Sequence, residues 1–466
     1  MSNSLKFGTS GLRGLSSELA GAEARRYVTA FLRVLADRGE PLTSLYLGRD
    51  FRDSSPAILR DCAAAAAALG IKVIDCGAIP TPALAAHAIA ADAPSVMVTG
   101  SHIPQDRNGL KFYTRQGEIS KADEADILSA LAPASHGDYA APVVDEAETA
   151  RNRYLRRYAQ FLPDRALEGM RIGIFEHSSV ARDILSDIIK AFGAETIALG
   201  RVDGFVAVDT EAFGDPVLAP LRSWVEAHKL DAIVSTDGDA DRPLLMDALG
   251  QFVRGDILGL LSAWFVGADT IVTPVTSNTA MEATGLFRSV RRTRVGSPYV
   301  IETMSDALAS GAHPVIGFEA NGGTLLGNDL SGAHSLDRLM TRDAVLPLLA
   351  TLGLAARERK SVADLVSSLP LRVAIADRLA DVAHDQSARL SDWLGTSEGA
   401  ALFFAPRTIL RSASIDGLQF WLDDGTMVHY RASGNAPELR CYVEAETADQ
   451  AQAVLAWGLK AAKAAL

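Results

Sequence analysis

Asp237, Asp239 and Asp241 alternate within the hexapeptide DGDADR. Carboxylates at every second position can converge on one hard cation if the loop curls, and Gly238 permits the curl. An EF-hand is excluded, because its loop needs Gly at the sixth position and Glu at the twelfth, where this chain has Arg242 and Ala248. Three oxygen ligands leave a divalent ion undercoordinated, which suits Mg²⁺ completed by water and a phosphate oxygen. A solvated acidic turn without metal is the competing reading, and the apolar strand in front of the loop argues against it.

Ser101 lies in TGSHIP, just past the apolar run SVMV. A nucleophile elbow would need glycines two before and two after the serine, and the chain has Thr99 and Ile103 there. A serine that itself carries phosphate fits better, because phosphoserine supplies about two negative charges and oxygens that could complete a metal shell. Each loop then supplies what the other lacks, although TGSHIP alone reads as an ordinary turn and His102 alone as a structural histidine.

Positive charge comes from three places. RASGNAPELR sets Arg431 and Arg440 around the turn Ser433, Gly434, Asn435, whose backbone N–H groups can form a nest for a phosphate. Solvated arginines at a hairpin end are the alternative. FGTSGLRG places Arg13 between glycines, and NGLK places Lys111 ten residues after the serine, so both can reach Ser101. Lys or His beside a reacting hydroxyl is what general acid or base work requires.

These loops need strands to hold them. Apolar, β-branched runs alternate with alanine-rich stretches, the pattern of βαβ units and a largely parallel sheet. Residues 57–69 predict a helix ended by Gly70, and IKVIDCG a buried strand. SVMV, DAIVST and HPVIGF each run into a polar or glycine-rich loop, which suggests three related units presenting their loops alike. A linker helix is expected around 146–157. The strands LQFWL and TMVHYRA enclose the turn DDG in a final α+β segment.

At 466 residues the chain exceeds the size of one hydrophobic core, so several domains are expected. A net charge of −12 argues against a nucleic-acid surface. No apolar stretch approaches a membrane span, and the start lacks a secretory pattern, so a cytoplasmic protein is expected. Cys62, Cys76 and Cys441 form no CxxC pair and read as buried free thiols.

The series GTSGLRG, GRDFRDSSP, IPTPAL, TGSHIP, NGLK, DGDADR, GFEANGG and RASGNAPELR spans the chain and resembles the α-D-phosphohexomutases. That resemblance implies three similar α/β domains with mixed sheets and a smaller α+β carboxyl-terminal domain around a cleft. The boundaries expected are 1–147, 148–254, 255–369 and 370–466. It implies a phosphoserine at Ser101 and Mg²⁺ on Asp237, Asp239, Asp241 and a phosphoserine oxygen. Lys111, Arg13 and His102 would surround the phosphoryl group, with Arg242 nearby. Glu319 and Asn321 would contact the sugar, and Arg431, Ser433, Gly434, Asn435 and Arg440 the distal phosphate. The implied reaction interconverts hexose 1-phosphate and hexose 6-phosphate through hexose 1,6-bisphosphate, also the activator, in a monomer or homodimer. The chain departs from the common pattern at Gly100 and Ile103, where most members carry Ala and Asn. It also departs at Asn321, and at Asn435 and Ala436 where Thr-Glu is usual. The GFEANGG and SGNAPELR variants look most like phosphomannomutase-type members, and the activity the resemblance implies is that of a phosphomannomutase, a phosphoglucomutase or both. Phosphoglucosamine mutation, a metal-dependent phosphatase and a binding protein without turnover are the alternatives.

Overall fold

A computed structural model describes residues 4–8, 11–132, 142–210, 215–433 and 437–466. It divides into two compact units, Met1–Val272 with Gly296–Val366, and Thr273–Val295 with Ser367–Leu466.

The first unit is built from strand-to-loop-to-strand returns. In the first sheet, Ser44–Arg49, Lys72–Ala78, Ser95–Val98 and Val143–Asp145 run parallel, with Ser44–Arg49 pairing Lys72–Ala78 on one side and Ser95–Val98 on the other. Past Ser95–Val98 the pairing turns antiparallel, onto Arg107–Thr114 and then Leu12–Leu15. The second sheet repeats this: Arg171–Phe175 lies between parallel Glu195–Leu199 and Ala232–Thr236, and Pro243–Asp247 returns antiparallel. In the third, Thr270–Pro274 and Val315–Phe318 are parallel, and Thr324–Leu326 and Leu339–Asp343 antiparallel. The sheets are therefore mixed, as the family resemblance implies, and not largely parallel as the alternating pattern alone suggests. A short hairpin return and a βαβ crossover both present buried apolar strands, so periodicity does not separate them.

Local signals account for the helices. Ser55–Ala68 carries Pro56 in its first turn, runs through six consecutive alanines and stops where Gly70 takes a φ of +72°, the left-handed cap that glycine adopts without a Cβ penalty. A helix, Ala147–Tyr158, stands where the linker helix is expected, inside the first unit. Apolar faces of Ala22–Asp37 and Ser55–Ala68 bury Phe31, Leu32, Ile58 and Leu59 against Leu45, Leu47, Val96 and Phe112 of the first sheet. Burial at roughly 25 cal/mol per Å² of apolar surface is what fixes the strands whose ends carry the loops.

The second unit holds an antiparallel sheet, Val373–Ala380, Glu438–Ala445, Met427–Ala432, Leu418–Leu422 and Ile409–Ala413 in that spatial order. Helices His384–Leu394, Ser397–Phe404 and Ala448–Ala465 accompany it around a core that includes Phe404, Phe420, Tyr430 and Val443. All three cysteines are buried and free. Among the described residues no helix is long and apolar enough to cross a membrane.

Candidate active site

Each return in the first unit places a loop beyond the carboxyl end of a buried strand. Residues 99–106 follow Ser95–Val98, 237–242 follow Ala232–Thr236, and 319–323 follow Val315–Phe318. All three strands are buried throughout, so their ends are rigid mounts.

The first two loops meet. Ser101 Oγ donates to Asp237 Oδ2 at 2.5 Å, and His102 Nδ1 lies 3.3 Å from the same hydroxyl. Ser101 is buried with a φ of +53°, and Ala240 in the facing loop has +61°. A non-glycine residue held there loses on the order of 1–2 kcal/mol, so the surroundings must impose it.

The aspartates divide their oxygens. Asp237 Oδ1 accepts the backbone N–H of Asp241 and of Arg242, each at 3.2 Å. Asp239 Oδ2 accepts from Thr81 Oγ1 and Lys111 Nζ, both at 2.5 Å. Asp241 Oδ2 accepts from Lys111 Nζ at 2.5 Å and Arg342 Nη2 at 2.7 Å. Asp239 Oδ1 and Asp241 Oδ1 are buried with no hydrogen-bond partner. Ligand oxygens of the three lie within 4.8 Å of one another. Two orphaned carboxylate oxygens beside a third carboxylate fit a hard divalent cation, because otherwise they are desolvated without compensation. Burial, then Asp239 and Asp241, pushes the Asp237 carboxyl well above its usual range. Burial also raises that of Asp241, but Arg342, Lys111 and Arg242 outweigh it and hold the group below the ordinary value.

Cations ring the carboxylates. Arg13 is half-buried, with Nη2 enclosed and unpartnered; burial, Arg242 and Arg342 push its guanidinium down to about 10. Arg242 Nε lies 3.8 Å from Asp241 Oδ1. Burial, then Arg242 and Arg13, lowers His102 to about 2, so its ring is neutral at physiological pH.

Glu319 joins this network through a residue the sequence did not single out. Arg342, 1% exposed in its side chain, donates Nη1 to Glu319 Oε2 at 2.8 Å and Nη2 to Asp241. Gly323 makes room for it, since a Cβ there would lie 2.6 Å from Arg342 Cδ. Asn321 turns its Oδ1 onto the Gly323 N–H at 3.0 Å and so shapes its own loop. Arg52, Asp50 and Thr81 were also missed as individual residues, although GRDFRDSSP and IPTPAL contain them. For Arg342 the signal was a charge inside the strand LMTRD.

Arg431 and Arg440 lie in the second unit, directly opposite on paired strands. Arg431 Nε donates to Asp416 Oδ2 at 2.8 Å, and Arg440 Nε is 3.7 Å from Glu438 Oε2. The Ser433 N–H donates to Glu438 O at 2.9 Å. Gly434 and Asn435 lie outside the described residues.

Residues 4–136 match the family description Phosphoglucomutase/phosphomannomutase, alpha/beta/alpha domain I, and residues 254–373 match domain III. A phosphomannomutase of Sinorhizobium fredii (strain NBRC 101917 / NGR234) is 46% identical over 97% of this chain and 98% of its own. A phosphoglucosamine mutase of Thermobifida fusca (strain YX) is 31% identical over 96% of each. A phosphoglucomutase/phosphomannomutase family protein from Burkholderia thailandensis has the same fold, with a TM-score of 0.76 at 21% identity over 98% of this chain and 97% of its own. The chain therefore belongs to the phosphoglucomutase/phosphomannomutase family and is a phosphohexomutase, an isomerase that moves a phosphoryl group between positions of one hexose.

Proposed function

We propose that the chain interconverts the 1- and 6-phosphates of mannose, carrying the phosphoryl group on Ser101. The observation that carries this reading is the 2.5 Å contact of Ser101 Oγ with Asp237, inside an acidic triplet that leaves two oxygens orphaned. Asp237, Asp239 and Asp241 would hold Mg²⁺ together with an oxygen of phosphorylated Ser101, and the ion would supply positive charge to the transferring phosphoryl group. Lys111 orders two of the aspartates through one ammonium group. Arg13, with a buried donor in need of an acceptor, would take a phosphoryl oxygen. When the phosphoryl returns to Ser101, the hydroxyl must release its proton. Asp237 Oδ2 and His102 Nδ1, at 2.5 and 3.3 Å, are the groups within reach. Positioning and charge neutralisation of this kind are the main protein contribution to phosphoryl transfer.

Glu319, held on one oxygen by Arg342, would use the other for sugar hydroxyls, and Arg431, Ser433, Asn435 and Arg440 would hold the distal phosphate. The boundaries 147/148, 254/255 and 369/370 remain our division of the chain. Each lies between the last strand of one sheet and the first of the next in the order Val143–Asp145, Arg171–Phe175, Phe252–Val253, Thr270–Pro274, Leu339–Asp343, Val373–Ala380. Identity of 46% to a phosphomannomutase, against 31% to a phosphoglucosamine mutase, favours mannose phosphates. Assay of the 1-phosphates of mannose, glucose and glucosamine side by side tests the preference. A higher kcat/KM for glucosamine 1-phosphate would overturn it. Inorganic phosphate released in place of isomerised product would indicate a phosphatase.

A further inference from the structure

We infer that Arg52 is a positioning residue for Ser101: with Asp50 it forms a buried latch that holds the serine's loop in its reactive shape. The inference rests on reading Ser101 as the phosphoryl carrier. A guanidinium has five N–H donors, and all five are used here. Arg52 Nε donates to Asp50 Oδ2 at 3.1 Å. Nη1 donates to the carbonyls of Pro104 and Arg107 at 2.7 and 2.9 Å. Nη2 donates to those of Ser101 and Ile103 at 2.9 and 2.6 Å. Four of the five acceptors are backbone carbonyls of the segment that begins at Ser101.

Asp50 takes the opposite polarity of the same loop. It accepts from Thr99 Oγ1 at 2.8 Å and the Gly100 N–H at 3.3 Å, and Thr99 Oγ1 in turn accepts the Ser101 N–H at 2.8 Å. One ion pair, 0% exposed in both side chains, thus grips donors before the serine and acceptors after it. The pair is fully desolvated, and such a pair is compensated only when its remaining donors and acceptors are satisfied, as they are here. Ser101 needs this grip, because its φ of +53° is not one that a serine adopts unaided.

Although most members of the family carry Ala at this position, Gly100 belongs to the device as this chain builds it, with Arg52 seated directly against it. A Cβ there would lie 2.5 Å from Arg52 Cζ and 2.7 Å from Nε. A long side chain normally moves its tip away from such an approach. Here five hydrogen bonds and the Phe205 ring, 3.9 Å from Cζ, leave the tip no alternative seat. Lys cannot replace Arg52, since an ammonium has three donors and no planar fork to span four carbonyls.

The test compares Arg52→Lys, Gly100→Ala, the double variant and Ser101→Ala in the full chain. It reads kcat and KM with a hexose 1-phosphate, and amide exchange across residues 99–107. Misplacement of a reacting atom by about 1 Å lowers turnover on the order of 100-fold, which is the fall in kcat expected for Arg52→Lys, with KM moving less than about 3-fold. Exchange should quicken in the loop and not across the rest of the unit. Gly100→Ala should lower kcat by about 3- to 30-fold, and adding it to Arg52→Lys should give almost no further loss, since both act through one contact. The inference is overturned if Arg52→Lys keeps kcat, if exchange quickens throughout the unit, or if the two losses multiply. Should Arg52→Lys fail to fold, Gly100→Ala decides: an unchanged kcat overturns the latch. Turnover retained by Ser101→Ala would instead overturn the carrier reading. An inactive Ser101→Ala beside a fully active Arg52→Lys overturns the latch alone.

Discussion

Arg342→Met removes the charge that ties the aspartate loop to Glu319. Met nearly matches the aliphatic stem of Arg, so the change is chiefly electrostatic. Removing one partner of a buried ion pair typically destabilises by about 3–5 kcal/mol, because the remaining charge stays buried without compensation. Glu118 also faces the guanidinium, and the two carboxylates hydrogen-bonded to it are unequal. Asp241 keeps Lys111 at 2.5 Å and Arg242 at 3.8 Å, whereas the ion pair of Glu319 found among the described residues is the one with Arg342. Most of the loss therefore falls on Glu319, 4% exposed, and the low end of the range, about 3 kcal/mol, is expected. With a urea slope of about 2–3 kcal/mol/M, the unfolding midpoint of the first unit should fall by about 1–1.5 M. The variant Arg342→Met/Glu319→Gln should recover half or more of that shift, since the neutral amide no longer requires a cation. Urea titrations of the single and double variants, followed by circular dichroism, make the measurement. A midpoint within about 0.2 M of the parent, or a double variant less stable than the single, would refute the reasoning.

Asp239→Asn should weaken Mg²⁺ binding by at least about 10-fold while leaving metal-free stability unchanged or improved, because a charge beside Asp237 and Asp241 is removed; calorimetric Mg²⁺ titration and melting without metal check both halves. His429 is buried, its Nε2 2.6 Å from Asp416 O, and burial holds its pKa down to about 4 despite that contact. A depressed histidine stays neutral in the fold while the unfolded chain takes a proton, so its stabilisation is present above about pH 6.5 and is lost as pH falls towards about 4. His429→Gln should flatten that part of the stability profile, by about 2–3 kcal/mol at most, in unfolding titrations between pH 4 and 7. Arg431→Ala should raise KM for hexose phosphates by about 10- to 100-fold, the loss of a charge-assisted phosphate contact, as steady-state kinetics would show.

The aspartate loop was legible because carboxylates that alternate directly after an apolar strand repel one another unless a cation joins them, and the serine loop became legible beside it. Ser55–Ala68 was visible in its alanines and Gly70. The buried arginines were not. Arg52 and Arg342 read as ordinary charges until their acceptors are known, and those of Arg342 lie 23 and 101 residues away. At Asn321, expected at the sugar, residue type alone did not show that Oδ1 also accepts the Gly323 N–H within the loop. Periodicity alone did not reveal the antiparallel returns, which only the family resemblance implied, since strand direction is decided by pairing and not by composition.

The central claim is that Ser101 carries the phosphoryl group, and intact-mass analysis with peptide mapping tests it most directly. Incubation with hexose 1,6-bisphosphate should add the mass of one phosphoryl group at Ser101, and subsequent hexose monophosphate should remove it as bisphosphate forms. A chain that turns over substrate with Ser101 unmodified, or with the phosphoryl group on another residue, would contradict the account.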